Sequence, residues 1–109
     1  MKTYYHVTLL KNLDSIMTHG LIPCVGTLSS LCDETKKRIY LFPTENDMNI
    51  ALSSWLGETI NDIFGEDIEC CSLKINLPDD WNITAGECEY EVYSSEIIPP
   101  RYIKFYKTE

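Results

Sequence analysis

The chain opens on a run of aromatic and β-branched residues, Tyr4-Tyr5-His6-Val7-Thr8, and then changes period. Residues 3–8 read as a strand, because Tyr, Val and Thr suit a pleated, half-buried surface. Leu9 or Leu10, Leu13, Ile16 and Met17 recur at helical spacing, which predicts a helix over 10–19 with those side chains on its buried face. Gly20 supplies a stop, with Pro23 shortly after. Residues 24–36 mix Gly, Ser, Thr and charges and read as a loop. Arg38 to Phe42 is a compact strand ended by Pro43. Thr44 then caps a second helix and Asp47 places an acid in its first turn. Met48, Ala51, Leu52 and Trp55 mark the inner face, and Gly57 is expected to end or bend that helix. A further turn or short helix covers 58–64, with Ile60, Ile63 and Phe64 as its apolar positions.

The second half is mostly extended. Residues 68–77 alternate weakly and read as a strand, Pro78-Asp79-Asp80 as a turn, and 87–94 as another strand. Glu96 to Pro100 connects to a last strand over 101–107 carrying Tyr102, Phe105 and Tyr106. Early strands broken by two helices, then strands in succession, predict an α+β fold with mainly antiparallel sheets. At 109 residues the expectation is one domain over 1–109. No repeat, linker or low-complexity segment interrupts it.

Charge narrows the classes of partner. Seventeen acidic side chains against nine basic ones leave a net −8, which argues against broad nucleic-acid binding and against docking on anionic membranes. A local basic patch stays compatible with that total. Five cysteines (Cys24, Cys32, Cys70, Cys71 and Cys88) make an odd count, and adjacent Cys70 and Cys71 would face opposite sides of a strand. No pair of CxxC elements is present, so a metal site is not expected. No leader-like N-terminus and no long apolar run are visible, so reduced thiols in a cytosol are the simplest expectation. A toxin delivered without a leader into a host cytosol would have the same sequence character.

Three residues on three short strands carry the candidate chemistry. His6 shares a face with Tyr4 and Thr8, while Tyr5 and Val7 point the other way. Taken by itself it reads as a buried histidine with one hydrogen-bond partner. Tyr40 shares parity with Arg38 and Phe42; it is either sheet surface or an aromatic platform for a planar ligand. Glu87, Glu89 and Glu91 lie on one face of one strand, where like charges gain nothing. They form either a solvated face or a carboxylate aimed into a cleft between two small sheets, positioned to stabilise developing positive charge.

In this order the segments resemble the ADP-ribosyltransferase superfamily of His-Tyr-Glu type. Tyr5-His6-Val7-Thr8 resembles its first motif, a His followed two positions later by Ser or Thr. Ile39-Tyr40-Leu41-Phe42 with the helix from Thr44 resembles the second, and Glu89-Tyr90-Glu91-Val92-Tyr93 the third. Ile97-Ile98-Pro99-Pro100-Arg101-Tyr102-Ile103 is similar to the ending of many small members. The opening also looks like that of DNA-targeting toxins of the superfamily. Length and middle motif are similar to rifampin-modifying transferases. The chain departs from the pattern in two places: Val7 stands where a Gly commonly follows the His, and Tyr40 where the DNA-targeting toxins carry an Arg.

The resemblance implies a compact fold of two small sheets with two to three helices, and an enzyme that uses NAD as its substrate without a metal. His6 and Thr8, with the peptide at Val7, would position NAD. Tyr40 would stack on the nicotinamide, and Glu91 with Glu89 would serve catalysis. Glu89 matches the Glu-Tyr-x-Val-Tyr form of poly(ADP-ribose) polymerases, whereas Glu91 matches the Glu-x-Glu form and the spacing to Pro99-Pro100. The acceptor is left open between a macromolecule and a small molecule, and an antitoxin or host protein is the expected protein partner of such a toxin or phage effector. Two alternatives stand beside it: a non-enzymatic binding module on the same fold, and a small acidic inhibitor that mimics nucleic acid.

Overall fold

The computed structural model describes residues 1–23, 38–65, 68–85 and 92–108. Within them lie strands β1 (Lys2–Leu9), β2 (Ile39–Leu41), β3 (Cys70–Leu77), β4 (Thr84–Ala85), β5 (Val92–Ser94) and β6 (Ile103–Thr108). The helices are α1 (Leu13–His19), α2 (Glu45–Leu52) and α3 (Trp55–Phe64). Two antiparallel three-stranded sheets result, one in the order β1-β3-β6 and the other β2-β5-β4. The fold is small α+β, as the order of elements predicts.

β3 is the middle strand of the first sheet and is buried on both faces, which is why its alternation is weak in sequence. Cys71, Leu73, Ile75 and Leu77 point into one cluster with Ile16, Leu21, Ile39, Leu41, Ile98 and Ile103. That cluster draws from both sheets and from α1, so it sits where the sheets meet. Cys70 faces the opposite way, into a second cluster with Phe42, Met48, Ala51 and Ile60 that lies under α2 and α3. β1 divides by parity in the same manner: Tyr5, Val7 and Leu9 pack on the second cluster and Tyr4 on the first.

Local chemistry accounts for the helix ends. Thr44 is the N-cap of α2, its hydroxyl accepting from the Asp47 amide at 3.1 Å. Gly20 ends α1 with φ +84°, its amide bonding the Ile16 carbonyl at 2.7 Å. A Cβ there would collide with the Ile98 carbonyl, which accepts from Leu21 at 2.9 Å.

Four expectations need correction. The helix over 10–19 begins as a 3-10 turn at Leu10–Asn12, and its buried stripe is Leu10, Leu13 and Ile16; Met17 is exposed. A seven-residue helix has only a narrow contact, so the fourth position falls outside it. Gly57 neither ends nor bends α2 but lies inside α3, and the break is at Ser53 and Ser54. It is small because the Leu52 carbonyl occupies the place a Cβ would take. Tyr102 belongs to a 3-10 turn, Pro100–Tyr102, because Pro100 pre-sets a helical φ; the strand starts at Ile103. The short β4 has no counterpart in the sequence reading. The loop at 24–36 and the strand start at 87–91 fall outside the described residues.

Candidate functional site

β1 and β2 meet through one antiparallel bridge. The Tyr5 amide bonds the Phe42 carbonyl at 2.9 Å, and the Phe42 amide bonds the Tyr5 carbonyl at 2.7 Å. This joins the two sheets at Tyr5, next to His6, and at Phe42, two residues past Tyr40. His6 lies opposite Leu73 on β3, so its ring turns toward the side shared by the sheets. There Nδ1 lies 2.7 Å from the Tyr40 carbonyl oxygen. A carbonyl can only accept, so Nδ1 carries the proton and donates it. A neutral imidazole in that tautomer leaves Nε2 as an acceptor.

The electrostatics favour that neutral form. Desolvation pushes the His6 pKa below the ordinary histidine value of 6.5, outweighing the bond to the Tyr40 carbonyl, which pulls it up. At neutral pH the ring is therefore a donor at one nitrogen and an acceptor at the other.

The Tyr40 side chain points elsewhere. Ile39 and Leu41 enter the core between the sheets, so Tyr40 and Arg38 share the other face of β2. Tyr93 on β5 lies directly opposite Tyr40, with ring centroids 6.2 Å apart and planes at 60°. The Arg38 guanidinium sits 4.0 Å from the Tyr93 ring centroid, and its Nη1 donates to the Tyr40 hydroxyl at a long 3.4 Å. Arg38 is only 9% exposed, which is unusual for an arginine and shows how closely it is held. The result is a tyrosine pair with an embedded cation beside the His6 junction.

The structure thus brings together His6 and the backbone of Tyr40, and extends the site to Arg38 and Tyr93. Thr8 is on the His6 side of β1, opposite Cys71, and is half-buried. Val7 is on the reverse face, packed against the cluster of Phe42 and Met48. Glu89 and Glu91 lie outside the described residues; Val92, next in sequence, pairs with Leu41. In the sequence Arg38 stands only as a parity mate of Tyr40 and Tyr93 only as the end of the segment resembling the third motif, patterns too common to single them out.

A depression of about 340 Å³ lined by Leu10, Lys11, Ile68 and Glu69 lies past the far end of β1 and takes no part in this junction. Among the described residues no group of three His, Cys, Asp or Glu side chains could hold a metal ion, and no helix is long and apolar enough to cross a membrane. Comparison with protein-family models, curated proteins and solved structures gave no match to the chain.

Proposed function

We propose that this chain is an ADP-ribosyltransferase that takes NAD as substrate, releases nicotinamide and passes ADP-ribose to a macromolecular or small-molecule acceptor. The observation that carries the reading is the His6–Tyr40 junction. Two residues 34 positions apart, each in a segment resembling a motif of that superfamily, meet where two antiparallel sheets join. One His6 nitrogen is fixed as a donor within the protein, which leaves Nε2 to accept from a ribose hydroxyl.

The reaction balances simply. The bond between C1′ of the nicotinamide ribose and the pyridinium nitrogen breaks, and the bonding pair leaves with neutral nicotinamide. A lone pair of the acceptor forms the new bond to C1′, and the acceptor's proton passes to a base. Positive charge builds on the ribose during this exchange, so a carboxylate beside it lowers the barrier. Glu91, with Glu89 as its neighbour, supplies that carboxylate in this reading. In this reading the ring of Tyr40, on the face of β2 turned away from the core and held at its hydroxyl by Arg38, is the aromatic surface for nicotinamide, and NAD bends around the β2 backbone to reach His6. Stacking the leaving group before the bond breaks removes part of the entropic barrier.

One observation favours a second reading. A desolvated His6 tied to a backbone carbonyl is also what a purely structural joint would need. The chain would then be a non-enzymatic binding module on the same fold. Incubation of the protein with cell lysate and NAD labelled in its adenylate phosphate separates the two. Label recovered in protein, nucleic acid or a small molecule, with stoichiometric nicotinamide, supports the transferase. Folded protein that consumes no NAD and releases no nicotinamide establishes the module instead.

A further inference from the structure

The reverse face of the first sheet carries a concentration of positive charge that the net −8 conceals. Three of the chain's nine basic residues project from this face of β3 and β6: Lys74, Lys104 and Lys107. No acid occurs between residues 101 and 108. Lys74 and Lys104 are directly opposite each other in the β3–β6 ladder, so their side chains project from the same face. Tyr5 is opposite Lys74 on β1, which places it on that face too, away from His6. Helices α2 and α3 pack on the part of this face formed by Tyr5, Val7, Leu9 and Cys70, which leaves β6 uncovered. β6 is the outer strand of the sheet, and its residues from Lys104 to Thr108 are exposed.

Two like charges directly across a ladder destabilise a sheet. With seventeen acids available in the chain, an ion pair at this position would cost nothing to encode. A facing lysine pair on an exposed face is therefore a feature whose benefit lies in an external anion. The aromatic groups nearby limit what that anion is. Tyr106, the extra residue at the β6 irregularity, already has the Lys74 and Lys107 ammonium groups 5.1 and 5.6 Å from its ring centroid. Tyr5 meets the same ring edge-on at 5.7 Å. A ring engaged in this way is a poor platform for stacked bases, the usual anchor of single-stranded nucleic acid.

The geometry points to a docking surface for an acidic polypeptide segment in extended conformation, lying along β6 with its carboxylates on Lys104 and Lys107, which are opposite Lys74 and Ser72, two residues apart on β3. In an extended segment, acids at alternate positions fall on one side at a spacing of about 7 Å. That side faces the lysines while the backbone runs beside an outer strand, as in strand addition to a sheet. The surface is on the opposite side of β1 from the His6 junction, so it stands whether or not the chain is a transferase.

Fluorescence anisotropy at low ionic strength tests it with the intact protein. The probe is a labelled peptide of alternating Glu and Thr, six residues long to match β6. Its comparators are the same peptide with Gln for Glu and a labelled oligothymidylate. The acidic peptide is expected to bind, both comparators at least roughly tenfold more weakly, and binding should fall as salt rises. The K74Q/K104Q double variant should lose roughly tenfold in affinity with an unchanged or raised melting temperature, since it removes a like-charge pair. Lys104→Glu alone should also weaken the peptide. No binding by the wild type, equal binding of the Gln peptide, or an unaffected double variant overturns the inference. Oligothymidylate held as tightly as the acidic peptide overturns it in favour of a nucleic-acid surface.

Discussion

Replacing His6 by alanine, asparagine and glutamine separates what holds the sheets together from what would hold NAD. Asparagine places an amide N–H near the position of Nδ1, so it can keep the donor to the Tyr40 carbonyl, 2.7 Å away in the parent, but it has nothing at the position of Nε2. Glutamine does the reverse. Alanine removes both. Taking a donor from a carbonyl in this part-buried site costs about 1–3 kcal/mol, and the lost ring packing adds about 1 kcal/mol. His6→Ala should therefore lose about 3 kcal/mol, and His6→Asn about 1 kcal/mol or less. One neutral hydrogen bond to a ribose hydroxyl is worth about 1.4 kcal/mol at most, so NAD affinity should drop up to about tenfold in both His6→Ala and His6→Asn. His6→Gln should be less stable than His6→Asn and bind NAD better per folded molecule. Urea unfolding at pH 7.5 and calorimetric titration of NAD supply the two axes. Wild-type NAD affinity in a folded His6→Asn would remove Nε2 from the binding account. A loss under 1 kcal/mol in His6→Ala would show that the bond to Tyr40 does not tie the sheets.

Other outcomes follow from the same structure. Burial lowers the His6 pKa, so below pH 6.5 the unfolded chain takes up this proton before the folded one. Stability should be level with respect to this group above 6.5 and fall as pH drops toward the folded-state value; the acid slope of the melting temperature should shrink in His6→Asn. Glu91→Gln should retain NAD binding and lose roughly 10²–10³ in turnover, with Glu89→Gln costing less. Full activity in Glu91→Gln with loss in Glu89→Gln would move the acid to Glu89, and full activity in both would end the enzymatic reading of this strand. Gly20→Ala places a Cβ against the Ile98 carbonyl at φ +84°, so it should cost about 2–4 kcal/mol by thermal melting; a change under 1 kcal/mol would show that the turn relaxes freely.

What sequence conveys here depends on the range of the interaction. The cap at Thr44, the stop at Gly20 and the two-faced parity of β1 are set by neighbours a few positions away, and each is legible. Gly57 misleads because its reason for being glycine is the Leu52 carbonyl across a helix corner, and a breaker and a close contact look alike in one dimension. β4 exists only as the partner of two β5 residues, so no local preference marks it. For the site, His6 and Tyr40 stand out by residue type and context. Arg38 does not, because its importance comes from being seated on Tyr93, which is 55 positions away and aligned only by the β2–β5 register. The like-charge pair of Lys74 and Lys104 is invisible for the same reason.

The strand order has a temporal consequence. β1 pairs in full with β3, and about sixty residues separate Leu9 from Cys70. On a ribosome adding roughly 5–20 residues per second, the first strand waits several seconds for its partner. In that interval Tyr4, Tyr5, Val7 and Leu9 have neither of the clusters they finally fill. Closing so long a loop before any ladder bond forms also slows refolding, since distant pairings are reached late and singly. Refolding from urea should therefore be a slow, single-step event led by β3, and an isolated fragment ending before Cys70 should not hold β1 in place.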